Sequence, residues 1–327
     1  MSSAGSNIDR GMRGIELKLP ASSANLGPAF DSAAMALDLY LHVRAEAAAS
    51  FSVTASGRDA EVCGKVEHNL ILDSYREVLK NAKARCVPLA LKIDNKIPVG
   101  KGCGSSAAAR LAGVALAVHF GGLAWTDEQI LDEAVRLEGH ADNVAACWLG
   151  GFVIVQANRN EHGKRVQASR IEVARERPML LVISGGDLAT GKSRALVPTL
   201  YGREVVVANL QSAMALVAAY ALGRDELFST AQHDALHQPY RAKVCPLLPC
   251  LQPLAGQAGI LAVTLSGAGS SVLLTLRHDV SQHEVREAVS ERLRAAGLAG
   301  ELVFTKMAKQ GTCRTQLPAR AMAGEGA

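Results

Sequence analysis

The segment Pro98-Val99-Gly100-Lys101-Gly102-Cys103-Gly104-Ser105-Ser106-Ala107 sets glycines at alternate positions and two hydroxyls at the mouth of a helix-forming run. Glycine opens backbone conformations closed to other residues and lets a ligand approach the main chain. Where such a loop enters a helix, the unpaired N–H groups of the first turn and the positive end of the helix dipole face one point. An oligophosphate suits that point, and Ser105 and Ser106 can reach phosphate oxygens or a magnesium ion. On this segment alone, a plain glycine-rich turn with serine as helix cap remains open.

A second string, Gly186-Asp187-Leu188-Ala189-Thr190-Gly191-Lys192-Ser193, satisfies the G-x-x-x-x-G-K-S pattern of P-loop nucleotide binders and follows a strand-like run. That pattern needs a substantial helix after the serine. Pro198 arrives five residues later and would cut it short. No hydrophobic strand ending in Asp follows at a suitable distance, so the match is read as accidental. Other polar clusters have structural readings of their own. Ser22 to Asp31 can be a turn with capping side chains, and Glu138 to Asn143 a helix stop and restart capped by Asp142. Ser266 to Ser271 can be a glycine turn between strands, and Arg241 an ordinary surface cation.

Taken together and in order, these stretches resemble the galactokinase, homoserine kinase, mevalonate kinase and phosphomevalonate kinase (GHMP) family, most closely its homoserine kinase branch. The Pro98–Ala107 loop is similar to Pro-x-Gly-x-Gly-Leu-Gly-Ser-Ser-Ala, with Cys103 at the Leu position. Leu19 to Ser32 resembles Pro-Ala-Ser-x-Ala-Asn-Leu-Gly-Pro-Gly-Phe-Asp, with Ala29 at a Gly position. Glu138 to Asn143 resembles Glu-Gly-His-Pro-Asp-Asn, with Ala141 for Pro. Thr190 to Pro198 is similar to Thr-x-x-x-Arg-x-x-Leu-Pro, with Val197 at the Leu position. Asp234 to Arg241 matches a further stretch, and Leu265 to Val272 a Ser-Gly-Ala-Gly turn in which Ser270 takes a Pro position.

The resemblance implies transfer of the γ-phosphoryl group of ATP to the side-chain hydroxyl of L-homoserine, with ATP and Mg2+ as cofactors. It implies nucleotide contacts from Pro98, Gly100, Lys101, Gly102, Cys103, Gly104, Ser105 and Ser106, with Gly267 and Gly269 packed alongside. Ser106 and Glu138 would hold the metal. Asn25, Asp31, His140 and Asp142 would meet the acceptor, and Arg194 and Arg241 would clamp its carboxylate bidentately. Asn25, Asn143 and Arg194 are the expected catalytic residues. Asn143 stands where related kinases carry an Asp base, and an amide does not usefully accept a proton. Catalysis without a carboxylate base is therefore expected, with the proton lost late to phosphate or water. A sister kinase for another small hydroxylated acid and a catalytically silent nucleotide sensor are the alternatives. A homodimer is common in the family.

The elements that must position these residues can be read from pattern. Strands are expected at Ile15–Leu19, Leu39–Ala45, Phe51–Ala55, Leu89–Ile93, Phe152–Gln156, Val166–Val173, Met179–Ser184, Ile260–Ser266, Val272–Leu276 and Leu302–Thr305. An apolar, helix-like run follows Asp31, and Asn158 to Lys164 reads as a polar turn. Helices are expected at Leu70–Ala82, Ser105–Phe120, from a Thr126/Gln129 capping box, at Asn143–Leu149 and at Ser281–Ala296. Val205 to Leu222 is long and apolar enough to span a bilayer but is flanked by charges, and it reads as a buried core helix. The elements lack a regular βαβ rhythm, so the class is α+β. The family implies two domains. The first, 1–175, is an ATP-binding domain with a mixed sheet and helices. The second, 176–327, is a ferredoxin-like α+β domain with a disordered tail after about 318.

Bulk properties agree. The 327 residues are 49% hydrophobic but only 4% aromatic, so the core must be built from Ala, Val and Leu. The net charge of +4 fits small anionic substrates and lacks the clustered basic and aromatic residues of a nucleic-acid binder. Seven scattered cysteines read as free thiols in a reducing compartment; Cys245 and Cys250 lack the second pair a zinc site would need. Met1 to Arg13 is polar without an apolar signal core. A cytoplasmic protein with no membrane partner is expected.

Overall fold

The computed structural model describes residues 13–160, 163–185 and 190–318. Residues 186–189 of the Gly186–Ser193 string, the stretch before Arg13 and the expected disordered tail lie outside the described residues. The strands, in order, are β1 (Ile15–Ala24), β2 (Ala33–Ala47), β3 (Ser52–Gly57), β4 (Leu89–Asn95), β5 (Phe152–Asn160), β6 (Gly163–Ile171), β7 (Pro178–Ile183), β8 (Ile260–Leu265), β9 (Ser271–Leu276), β10 (Glu301–Lys306) and β11 (Cys313–Gln316). The helices are α1 (Ala60–Cys63), α2 (Leu70–Asn81), α3 (Ser105–Gly121), α4 (Asp127–Glu138), α5 (Asp142–Leu149), α6 (Thr190–Ala195), α7 (Arg203–Ala221), α8 (Phe228–Ala231), α9 (Gln238–Arg241), α10 (Leu247–Leu251) and α11 (Gln282–Ala295).

Two sheets organise an α+β fold. The first runs β11-β1-β2-β4-β3, and β5 joins the start of β2 and carries β6. It is mixed, because β3 and β4 pair in parallel. The second runs β10-β7-β9-β8 and is antiparallel throughout. The chain leaves the first sheet after β6, enters the second at β7, and returns at its end as β11, pairing Ile15 with Gln316 and Lys18 with Cys313.

Helix α3 is buried around most of its girth, which its alanines permit. Gly113 lets α2 press against it: a Cβ there would lie 2.4 Å from the Ile71 carbonyl oxygen. The Thr126/Gln129 capping box forms at the start of α4, as its spacing requires. Helix α11 buries Val285, Val289 and Leu293, one per turn, against the second sheet.

Several elements differ from expectation for identifiable reasons. The helix-like run Ala33–Leu37 is the first part of β2. Every one of its side chains is buried, and an unbroken apolar run does not distinguish helix from strand. Strands β5 and β6 run through most of the expected polar turn, to Asn160 and from Gly163. Helix α5 begins at Asp142 rather than Asn143, with Ala141 at the cap position. Strand β11 has four exposed side chains and no alternation to reveal it. Helix α7 is a core helix on one face only. By length and composition it could cross a membrane, yet it buries Asn209, Ser212, Leu216, Ala219 and Tyr220 and exposes Val206, Val207, Leu210 and Met214.

Candidate active site

The glycine loop folds as its composition demands. Gly100, Gly102 and Gly104 all have positive φ, near +70°. At two of them space is also closed. A Cβ on Gly102 would lie 2.3 Å from the Ser266 carbonyl oxygen, and one on Gly104 would lie 2.0 Å from Ser22 Oγ. The loop is thus wedged between β1 and the β8–β9 turn, one from each sheet. Ser22 N donates to the Cys103 carbonyl at 3.1 Å. Ser266 Oγ lies 2.8 Å from Gly102 O and 2.9 Å from Ser23 Oγ, and Ser270 Oγ donates to Gly100 O at 3.3 Å. Asp59 accepts from Val99 N at 2.9 Å and fixes the loop's entry. Cys103 points inward, fully buried, and burial pushes its thiol up to about 12. The loop then becomes the first turn of α3, whose amides open toward a cavity.

Ser106, one residue into α3, donates to Glu138 Oε1 at 2.5 Å. Glu138 closes α4, where Gly139 ends the helix at φ +90°. His140 follows, with Nδ1 3.2 Å from Asp142 Oδ1 and Nε2 3.7 Å from Glu138 Oε1. Burial alone would lower the His140 pKa, but the Asp142 hydrogen bond and the two carboxylate charges outweigh it and raise it. Asp142 Oδ1 also accepts from Asn143 N at 2.8 Å. Asn143 Oδ1 accepts from Ser22 Oγ at 2.8 Å.

The other wall is cationic. Arg241, on α9, is 1% exposed, and no carboxylate among the described residues lies within ion-pair distance of it. Its Nε reaches Ser193 O at 3.4 Å; its Nη1 reaches His237 Nδ1 at 3.2 Å and Gly267 O at 3.3 Å. Burial and then the charge of Arg194 push its pKa down. Arg194, on α6, meets Asp31 bidentately at 2.6 and 3.0 Å. Both guanidiniums lie over one ring: Phe30 is 5.7 Å from Arg194 Cζ and 5.2 Å from Arg241 Cζ, and it stacks on His237 at 5.2 Å. The turn carrying Phe30 is held by strained residues, with Asn25, Leu26 and Asp31 all at positive φ. Asn25 accepts from Asp31 N at 3.0 Å and donates to Gly267 O at 2.8 Å, so its amide braces the turn against the β8–β9 loop. Asn209 of α7 braces it from behind, donating to Pro28 O at 2.8 Å.

His237 is neutral by geometry: Nε2 donates to Gly27 O at 2.7 Å, so Nδ1 must accept from Arg241. Burial chiefly, and the Arg241 charge after it, hold its pKa below the ordinary 6.5. The unfolded chain therefore takes up this proton first. The stability involved is complete above about pH 6.5 and is lost as pH falls below it. His237→Gln is expected to flatten the fall of thermal midpoint between about pH 6.5 and 5. Parallel midpoint-versus-pH curves for the two proteins would contradict this.

One cavity of about 360 Å3 joins these parts. Its wall includes Asn25, Gly100, Gly102, Gly104, Ser105, Ser106, Glu138, His140, Asp142, Asn143, Arg194, Arg241, Gly267 and Gly269. Of the residues expected from sequence, Pro98, Lys101 and Cys103 do not line it, and Asp31 stands behind Arg194. Sequence reasoning missed an apolar slot beside the loop, formed by Val62, Leu70, Ile71, Ile93 and Ile97. It also missed the supports Ser22, Phe30, His237 and Asn209. Only an apolar residue beside a polar turn hinted at Phe30; the others carry no local signal. The helix after Ser193 ends at Ala195, too short for the P-loop reading.

This combination of fold, glycine loop and cavity is that of a small-molecule kinase. Residues 69–151 match the GHMP kinases N terminal domain, and residues 215–295 the GHMP kinases C terminal domain. The chain belongs to the GHMP kinase family and is an ATP-dependent phosphotransferase. Within the family its similarity is to homoserine kinases. That of Solibacter usitatus is 41% identical over 90% of this chain and 95% of its own length. That of Synechocystis sp. is 31% identical over 92% and 98%. The crystal structure of homoserine kinase from Cytophaga hutchinsonii superimposes with a TM-score of 0.76 over 93% of this chain and 98% of that one. At 23% identity it speaks for the fold alone.

Proposed function

We infer that the protein transfers the γ-phosphoryl group of ATP to the side-chain hydroxyl of L-homoserine, giving O-phospho-L-homoserine for threonine biosynthesis. The observation that carries this reading is the continuity of one cavity from the Gly100–Ser106 loop to the paired guanidiniums of Arg194 and Arg241. The apolar slot suits the adenine base. The loop amides and the start of α3 suit the triphosphate. Ser106 Oγ and Glu138 Oε1 offer hard oxygens side by side, and Mg2+ is commonly held by one or two carboxylates together with substrate phosphates. Among the described residues no cluster of three or more His, Cys, Asp or Glu could hold a metal unaided, which agrees with such sharing. A bound Mg2+ would neutralise charge on the transferring phosphoryl group.

The protein's own groups then position the acceptor, which is most of what phosphoryl transfer requires. Arg241, lacking a carboxylate of its own, takes the amino-acid carboxylate with Arg194 beside it. Asp142 and His140 surround the ammonium and hydroxyl, while Asp31 holds Arg194 from behind the cavity wall. Asn143 directs an amide N–H rather than a base at the reacting oxygen, because its carbonyl is taken by Ser22. Proton loss is late, to phosphate or water. Asn143→Asp is therefore expected to keep at least about a tenth of kcat, the loss of one hydrogen bond being worth about 1 kcal/mol. A collapse of kcat with unchanged substrate binding would contradict this. The same proposal makes the enzyme cytoplasmic; a homodimer is what the family resemblance leads one to expect.

A coupled ADP-release assay with L-homoserine, mevalonate and L-threonine tests the reading. Homoserine alone should stimulate turnover. Stimulation by mevalonate instead would make the protein a sister kinase, and ATP binding without stimulation by any acceptor would make it a sensor.

A further inference from the structure

We propose that Arg110 is a positioning residue that keeps Glu138 neutralised in the nucleotide-free enzyme, so that the divalent cation enters only together with ATP. This rests on the phosphotransfer reading above.

Arg110 lies four residues after Ser106 on α3, so the two side chains share a face of the helix. Both converge on Glu138. Ser106 Oγ holds Oε1 at 2.5 Å, and Arg110 Nε lies 2.9 Å from Oε2. The Arg110 N–H is not aimed along that line, so the contact is one of charge rather than an aligned hydrogen bond. Glu138 is 6% exposed and Arg110 29%. The cavity wall includes Ser106 and Glu138 but not Arg110, which stands behind the carboxylate. Among the described residues His140 stands next nearest to Glu138, farther off at 3.7 Å and charged only when protonated, and the Arg194 charge reaches Glu138 from across the cavity without an ion-pair contact. Arg136 is turned away to Glu77 and Glu133.

A lone carboxylate at this depth would be costly to bury. It would also draw free divalent cations and repel a triphosphate arriving at the neighbouring loop amides. A fixed guanidinium removes both effects. The Glu138–Arg110 pair has no net charge, so a free cation gains little there. The cation is favoured once phosphate oxygens complete its shell. Unit charges at this range interact strongly even at intermediate dielectric, so deleting one should be plainly measurable.

The test uses the nucleotide-free protein. Mn2+ binding is followed by loss of the free-ion paramagnetic resonance signal, and binding of metal-free ATP in EDTA by calorimetry. Arg110→Met is expected to tighten Mn2+ binding roughly tenfold and to weaken metal-free ATP binding by a similar factor. Arg110→Lys keeps the charge and should leave both near wild type. Arg110→Gln replaces Arg110→Met should the latter not fold. A merely structural salt bridge would not tighten metal binding. The proposal is overturned if either affinity stays unchanged or moves the other way in the uncharged variant. Failure of the wild-type protein to bind ATP with Mg2+ would instead sink the phosphotransfer reading.

Discussion

Gly104→Ala is expected to raise KM for ATP about 100-fold or more, equivalent to about 2.7 kcal/mol, in a protein that remains folded. The backbone there sits at φ +70°, which costs an L-residue roughly 1–2 kcal/mol. The added Cβ would also meet Ser22 Oγ at 2.0 Å, Ser22 N at 3.2 Å and Asn143 Oδ1 at 3.3 Å. All three contacts are with backbone or with a side chain already bonded to another, so none can simply swing away. Relief must come from moving the loop off β1, which displaces the first amides of α3 from their common focus. Gly122→Ala is the control. It has a similar φ of +62° but nothing within 4 Å of the added atom, and it ends the same helix at the far side. It should cost some stability and leave KM alone. Measuring kcat/KM for ATP and the thermal midpoint of both variants separates the cases. Equal kinetics for the two would show that the loop's close fit is irrelevant to the nucleotide.

Arg241→Met should raise KM for the acceptor by a factor of roughly 30 or more, corresponding to about 2–5 kcal/mol for losing one side of a buried charge pair. ATP affinity should stay near wild type. The guanidinium is buried beside a second cation and without a carboxylate of its own. Such a charge is expensive to bury until an anion joins it. Methionine fills much of the volume without that charge, so the thermal midpoint of the ligand-free protein should change little. Homoserine-dependent protection against thermal unfolding should vanish at the same time. A variant that loses ATP binding equally, or that keeps its acceptor KM, would place the acid group of the substrate elsewhere.

Much of the fold was legible because its elements carry strong local marks. The Thr126/Gln129 box and the alternating glycines each require one backbone geometry, and each adopts it. What failed was decided by partners remote in sequence. Ala33 to Leu37 becomes strand because β1 and β5 flank it. The exposed β11 exists only through β1. The cavity follows the same division. Residues in glycine- or Asx-rich motifs could be picked out, whereas Phe30, His237 and Arg110 act through neighbours that no local pattern announces. Asn25 was legible as a site residue, but its use as a brace between two turns was not. Its partner Gly267 is 242 residues away.

The pairing of β1 with β11 bears on how the chain is made. Strand β1 carries Ser22, which braces the glycine loop, and it leads directly into Asn25, yet one of its two neighbours is synthesised only after the whole second sheet. While the chain emerges from the ribosome, that flank of β1 is an open row of peptide groups. Such a row invites pairing with a foreign strand. Ligand-binding competence thus waits on the synthesis of residues 313–316. Nascent chains stalled before residue 313 should engage chaperones, whereas those released past 316 should not.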